Sequence, residues 1–208
     1  LQITVFGAAG HVGQQVVTKA LAEGHTVQVF VHRHNPFGDA TGVTMIQGDI
    51  VDAAAVKKAL QGSEAAISAL GSWHTKSKDI VQTGMQTIIP AMQELGIKRL
   101  ITVTGAGALW EHDTPGAVDK LNHTLLGIGA GKILADGEAH LRLLEASGLD
   151  WTCLRSPIMT NKDSTRYRLT LKLPMPWASI PRHAVSQCLV DQLESKKWQR
   201  QAPVIRRG

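Results

Sequence analysis

Three glycines, Gly7, Gly10 and Gly13, fall within seven residues, directly after the apolar run Ile3–Phe6 and directly before a helical pattern. Small residues in such a loop allow a tight turn, close approach of main chain to a diphosphate, and close packing of helix on strand. The first N–H groups of the helix and the positive end of its dipole then face an anion. The spacing is G-x-x-G-x-x-G, one residue longer in its first half than the dinucleotide fingerprint. With Ala9, His11 and Val12 between the glycines, the loop reads as the diphosphate cradle of a dinucleotide. No G-K-[ST] follows, which disfavours a phosphate-loop NTPase. The second apolar run ends in Val31-His32-Arg33-His34-Asn35, and the first acid beyond it is Asp39. An acid at that strand end would serve the ribose hydroxyls of NAD, whereas the guanidinium fork of Arg33 suits a 2′-phosphate. The expected cofactor is therefore NADP, with NADPH preferred over NADH. His32 and His34 sit at i, i+2 with no evident third ligand, so no metal site is expected.

The elements that must hold these residues alternate. Val- and Ile-rich runs at Ile3–Phe6, Val27–Val31, Val43–Ile46, Ala65–Leu70, Leu100–Val103 and Trp151–Leu154 read as strands buried on both faces. Helical spacing occupies Val12–Glu23, Ala53–Leu60, Ile80–Leu95 and Ile133–Ala146, with Gly24, Gly62, Gly96 and Gly148 as stop signals. Such alternation implies right-handed crossovers and a doubly wound α/β fold: a Rossmann-like parallel sheet covered on both sides. The expected organisation is a single domain over residues 1–208, with 157–208 forming a small substrate-side appendage. Two stretches break the rhythm and are expected to be long functional loops: Gly105–Gly131, with six glycines, and Asn161–Pro181, ahead of a helix at Arg182–Leu193.

Composition narrows the classes. The 208 residues are 43% hydrophobic and 19% charged, as in an ordinary globular protein. The net charge of +5 is scattered, and its densest groups, Lys196–Lys197 and Arg206–Arg207, read as a solvated face and a frayed C-terminus rather than a nucleic-acid patch. A modest positive field also suits a polyanionic small molecule. Cys153 and Cys188 lie within apolar patterns and read as reduced core thiols of a cytoplasmic protein. Neither an 18-residue apolar span nor a basic-then-apolar leader is present, so no membrane partner is expected.

Five segments in fixed order resemble one family: GAAGHVG at Gly7–Gly13, QGDIVD at Gln47–Asp52, ISALG at Ile67–Gly71, GIKRLITVTGAGA at Gly96–Ala108 and EASGLDWTCLRSP at Glu145–Pro157. Together they resemble the atypical short-chain dehydrogenase/reductases, in the NmrA-like NAD(P)-binding group that includes the flavin reductase/biliverdin-IXβ reductase type. The resemblance implies that Asp49, with Ile50, lies against the adenine, and that Ala69, Leu70 and Gly71 pass beside the adenosine ribose and diphosphate. It implies that Thr104 and Gly105 flank the nicotinamide ribose and that Pro157 and Ile158 approach the carboxamide. It also implies a Tyr-x-x-x-Lys pair in members with full acid–base equipment, the Lys lowering the Tyr pKa. Here those two positions fall at Ile133 and Gly137, and a serine often found after the fifth strand falls at Gly105.

The sole tyrosine, Tyr167, has no Lys four residues on. A reduced nicotinamide brings its own hydride, so a flavin, quinone or tetrapyrrole could accept it with little acid–base help. The expectation is an NADPH-dependent oxidoreductase of a conjugated small molecule. Trp73, Trp110 and Trp177 are candidates to stack on such an acceptor, His74 and His112 to relay protons, and Lys132 to reach the ribose; His140 reads as a surface or packing residue. A non-enzymatic, NADP-sensing regulator of the NmrA kind is the alternative. A sugar-nucleotide epimerase or dehydratase fits less well, because few residues follow Pro157. The oligomeric state is open.

Overall fold

A computed structural model describes residues 1–38, 40–73 and 75–208. Its central sheet is built from β1 (Gln2–Phe6), β2 (Thr26–Val31), β3 (Val43–Gln47), β4 (Ala65–Ser68), β5 (Arg99–Gly105) and β6 (Asp150–Ser156), all parallel. The full eight-stranded order is β3-β2-β1-β4-β5-β6-β10-β8, with β8 at Tyr167–Thr170 and β10 at Val204–Arg207. The order reverses between β1 and β4, and the crevice outside their carboxyl ends is where sheets of this kind bind ligands.

Alternation along the strands assigns the two faces. Ile3, Val5, Val27, Val29 and Ile67 point to one side, against Val16, Val17 and Ala20 of α1 (His11–Ala22) and Val185, Cys188 and Leu189 of α5 (Arg182–Asp191). Phe6, Phe30, Ala66, Leu100 and Trp151 point to the other. They pack on α2 (Ala53–Leu60), α3 (Ile80–Leu95) and α4 (Ala117–Ala146). The doubly wound α/β expectation is met. The four stop glycines all adopt positive φ, between 67° and 82°, the region a side chain disfavours. Asp52 caps α2 by accepting from the N–H groups of Ala54 and Ala55 at 2.9 and 3.1 Å.

Several sequence expectations need correction. Gly105–Gly131 is mostly not a loop: α4 begins at Ala117 and continues through Gly127, Gly129 and Gly131, bending only at Ala130 (φ −140°, ψ 31°). Each interior glycine costs a helix about 1 kcal/mol, which loosens it without ending it. Asn161–Pro181 contains β8 and also β9 (Ser179–Pro181), which pairs with β7 (Ile158–Thr160). Arg206–Arg207 is not a frayed end: β10 pairs with β8 in antiparallel register, Arg206 opposite Arg168 and Arg207 opposite Tyr167. The third strand is not buried on both faces either, because β3 is a sheet edge that exposes Thr44, Met45 and Gln47.

Candidate functional site

The glycine loop leaves β1 at its carboxyl end and turns straight into α1. Gly7 has φ 70°, and a Cβ there would stand 2.7 Å from the Ala69 main chain. A Cβ on Gly13 would stand 2.1 Å from the Gly7 carbonyl oxygen, so helix and loop approach to a distance only glycine permits. Gly10 caps the helix without a side chain, its N–H bonding back to Gly7 O at 3.0 Å. Among the described residues, the N–H groups of His11, Val12 and Gly13 have no acceptor, and the helix dipole adds to their positive potential. These bare donors fit a diphosphate.

The remaining cofactor-side candidates converge on the same edge. Ala69 bonds to Phe6 O at 2.9 Å, which draws Ala69, Leu70 and Gly71 across the end of β1. Arg33 is exposed in the bend after β2, beside His32, whose Nδ1 lies 3.7 Å from Asp49 Oδ2. Asp49 is exposed there, while Ile50 is buried in the second core cluster. At the other side of the switch point, Thr104 and Gly105 pair with Arg155 and Ser156, next to Pro157 and the exposed Ile158. Cβ atoms built on Gly71 and Gly105 meet nothing within 4 Å, so the edge presents bare main chain on both sides.

The acid–base positions look different. Ile133 is half-buried on α4. At Gly137 a Cβ would stand 2.7 Å from Thr104 Oγ1 and 2.9 Å from Ala108 Cβ, so α4 closes over the place where the family pattern has its lysine. Tyr167 supplies no substitute. Its hydroxyl donates to Asp191, and burial, with the Cys188 thiol and the Asp191 carboxylate beside it, pushes its pKa up. Lys132 is exposed just past the kink of α4.

Trp73 is 62% exposed on the β4–α3 connection, as a stacking platform requires. Trp177 is 73% exposed, close along the chain to β9. Trp110 is a correction: it is 8% exposed, edge-on to Trp151, with Nε1 donating to Glu145 Oε1 at 2.6 Å. Glu145 lies eight residues beyond Gly137, about 12 Å down the helix axis. Trp110 therefore seals the far end of the α4 side instead of rimming the cleft. His112 follows it, with Nε2 3.4 and 3.5 Å from Glu111 and Glu145, and is corrected with it. Glu111, His112 and Glu145 gather their ligand atoms within 4.8 Å, a group that the histidine-pair reading of the sequence did not find. His74 and Asp39 lie outside the described residues.

The sequence reading also missed Asp136. Its buried carboxylate accepts from Ser72 Oγ and from the N–H groups of Gln82 at 2.7 Å and Val81 at 3.3 Å. It thereby caps α3, whose own N-cap residue Asp79 makes no side-chain bond to the helix's N–H groups, and fixes the loop that carries Trp73. Lys78 completes that loop by donating to the carbonyls of Ser72, Trp73 and Thr75. The available signal was an acid one residue before Gly137, on the turn that leads to the buried positions of α4.

A family model described as NAD(P)H-binding matches residues 7–196. The chain belongs to the NAD(P)H-binding family. The resemblance to atypical short-chain dehydrogenase/reductases is thus borne out. Among curated relatives, this NAD(P)H-binding protein is 29% identical to a 2-alkyl-3-oxoalkanoate reductase of Stenotrophomonas maltophilia over 139 residues, 64% of the chain. The match spans only 39% of that relative's length. Among solved structures, it superposes on ChuY of Escherichia coli O157:H7, described as an anaerobillin reductase, with a TM-score of 0.82 at 21% identity, covering 100% of this chain and 97% of that one. It superposes on a short-chain dehydrogenase/reductase of Veillonella parvula in complex with NADP with a TM-score of 0.78 at 21% identity, covering 99% and 94%. Both likenesses concern the fold. Among the described residues, no helix of this NAD(P)H-binding protein is long and apolar enough to cross a membrane.

Proposed function

We propose that the protein is an NADPH-dependent reductase of a conjugated small molecule, a flavin, quinone or tetrapyrrole, working without a tyrosine–lysine pair. The observation that carries this reading is the closure at Gly137, which leaves no room for the lysine of an acid–base pair. The reaction left to such a site is one whose acceptor spreads charge over a ring system and takes its proton from water. When bound, the reduced nicotinamide supplies the hydride. The chain's part is placement: the N–H groups of His11, Val12 and Gly13 grip the diphosphate, and Arg33 takes the 2′-phosphate. Asp49 and Ile50 border the adenine, while Ala69, Leu70, Gly71, Thr104, Gly105, Pro157 and Ile158 line the path between. Trp73 supplies a flat wall on a loop pinned by Asp136 and Lys78, which limits the entropy lost on stacking. Residues 157–208 form the acceptor side. The two free cysteines suit a reducing cytoplasm.

The test is a fluorescence titration of NADPH and NADH with the unmodified protein and with Arg33→Ala, followed by a panel of flavins and quinones. NADPH should bind at least about tenfold tighter than NADH, some 1.4 kcal/mol, and the variant should lose that margin. NADPH oxidation should appear with one or more acceptors. Silence across the panel ends the reductase reading, and equal affinity of the unmodified protein for both cofactors ends the assignment of Arg33.

One observation favours a second reading, a sensor of NADP redox state. Val118, Leu121, Leu125 and Ile128 form an exposed apolar stripe along the first half of α4, available to a partner protein. A sensor would bind oxidised and reduced cofactor with different affinities and show no turnover.

A further inference from the structure

The charge of the chain is distributed unevenly. Residues 157–208 carry ten Lys and Arg against three Asp and Glu, whereas residues 1–156 carry twelve against fourteen. The net +5 is therefore +7 on the C-terminal quarter and −2 on the rest. Part of the positive charge is structural. Arg206 and Arg207 donate to the carbonyls of Leu173 and Ser179, and the Arg200 guanidinium, at the amino end of β6, donates to Gly148 O at 3.2 Å.

Of the other seven, Lys196 and Lys197 follow α5, and five run from the end of β7 to the first residue of α5: Lys162, Arg166, Arg168, Lys172 and Arg182, with Asp163 as the one acid of that stretch. None of these five makes an ion pair within 4.0 Å among the described residues. Topology places three of them at the carboxyl edge. Residues 161–166 leave the end of β7, where Thr160 pairs with Pro181, and re-enter the sheet at Tyr167, opposite Arg207 at the end of β10. Lys162 and Arg166 stand on that excursion. Arg182 opens α5 and donates to Asn161 Oδ1. One turn later Ser186 bonds to Gln15 of α1, so this end of α5 stands beside the start of α1. The same stretch exposes Ile158, Leu171, Met175 and Trp177.

Like charges held together without partners oppose compaction, and they raise the local concentration of an anion that can meet them. Cations alternating with exposed apolar and aromatic side chains match a flat apolar body that carries negative groups at its rim. Resting on the reductase reading above, we infer that the acceptor is anionic: a conjugated ring system bearing phosphate or carboxylate groups, recognised by Lys162, Arg166 and Arg182. A neutral quinone lacks the feature this lobe is charged to read. In the reading above the cofactor's phosphates already have partners in the bare amides of α1 and in Arg33, and Lys162 and Arg166 stand on the 161–166 excursion from β7, apart from both.

The test compares matched pairs that share a ring and differ in charge: riboflavin against riboflavin 5′-phosphate, and a linear tetrapyrrole diacid against its dimethyl ester. Binding to the NADP⁺-loaded protein is read by flavin fluorescence quenching and tetrapyrrole absorbance, so no turnover is required. The charged member of at least one pair should bind about five- to tenfold tighter near 0.01 M salt, where the Debye length is roughly 30 Å. The margin should close near 1 M salt, where that length is about 3 Å. The first pair isolates a phosphate and the second a carboxylate. The double variant Lys162→Glu with Arg166→Glu should abolish the margin, while the control Lys58→Glu on α2 keeps it. Equal affinity within both pairs, or no binding of any member, overturns the inference. So does a more than tenfold loss of NADP⁺ affinity in the double variant, which would assign the cations to the cofactor. Displacement of the flavin by a short single-stranded oligonucleotide or by anionic vesicles would point to a macromolecular anion and overturn it too. A retained charge preference without NADPH oxidation would overturn only the reductase reading.

Discussion

His140 lies on α4, three residues past Gly137, fully buried and with both ring nitrogens unpartnered among the described residues. Burial alone pushes its pKa down to about 3. The unfolded chain then binds a proton near pH 6.5 that the folded chain refuses, so stability is complete above that value and falls as pH drops toward 3. The slope is about 1.4 kcal/mol per pH unit, so the protein at pH 5.5 should be about 1.4 kcal/mol less stable than above pH 7.5. Denaturant melts of His140→Leu should show this loss removed; an unchanged pH slope would place the titrating group elsewhere. Gly137 supports a sharper prediction. Installing the family pair as Ile133→Tyr with Gly137→Lys should cost more than about 2 kcal/mol by overpacking against Thr104 and Ala108, and should not raise turnover. A stable and faster double variant would refute the closure. Neither residue announces itself in the sequence. A histidine and a glycine on a helix look unremarkable until the neighbours that enclose them are known.

At the scale of elements, α4 is two helices in one. Its buried residues, Asp136, Gly137, His140, Leu141 and Leu144, all follow the bend at Ala130, and the preceding turns bury none. The first half hangs on a few contacts, among them His123 Nε2 to Glu138 Oε1 at 2.6 Å and Leu126 over Gly107. Amide exchange should accordingly be at least about a hundredfold faster over residues 120–129 than over 138–144. Uniform protection along α4 would mean that the apolar stripe is covered in solution. The loop from Ala106 to Gly116 has the opposite character. Arg155, wholly buried, forms a two-pronged pair with Asp113 and also donates to Ala202 O at 2.7 Å, which ties this loop to β6 and β10. Glycine content suggested a loop throughout 105–131, yet one part is helix and the rest is firmly anchored. Composition reports what the main chain is free to do, and tertiary partners decide which freedom is used.

For the whole molecule, the reversal of strand order between β1 and β4 puts the glycine loop, Arg33, Ala69, Thr104 and Pro157 along one edge, although they come from five separate segments. A dinucleotide spanning that edge would contact both halves of the sheet and stabilise them jointly. At a hundred times its Kd it should add about 2.7 kcal/mol. For a chain of this size that is a rise in Tm of roughly 5 to 11 °C. Gly13→Ala should abolish the rise, because its Cβ meets Gly7 O at 2.1 Å. A full shift with the variant would remove the loop from the binding site.

The sequence by itself determined the alternation of strands and helices, the positions of the stop glycines, the glycine loop and the family. These follow from local rules: a side-chain period of two or 3.6, the φ range open to glycine, and short motifs read in order. Only the tertiary structure decided that Trp110 and His112 turn away from the cleft, that Asp136 caps a helix other than its own, and that Gly137 has no space for a side chain. It also turned the C-terminal arginines into a strand. Each of these depends on which residues of distant segments come within a few ångströms, a quantity that no local window contains.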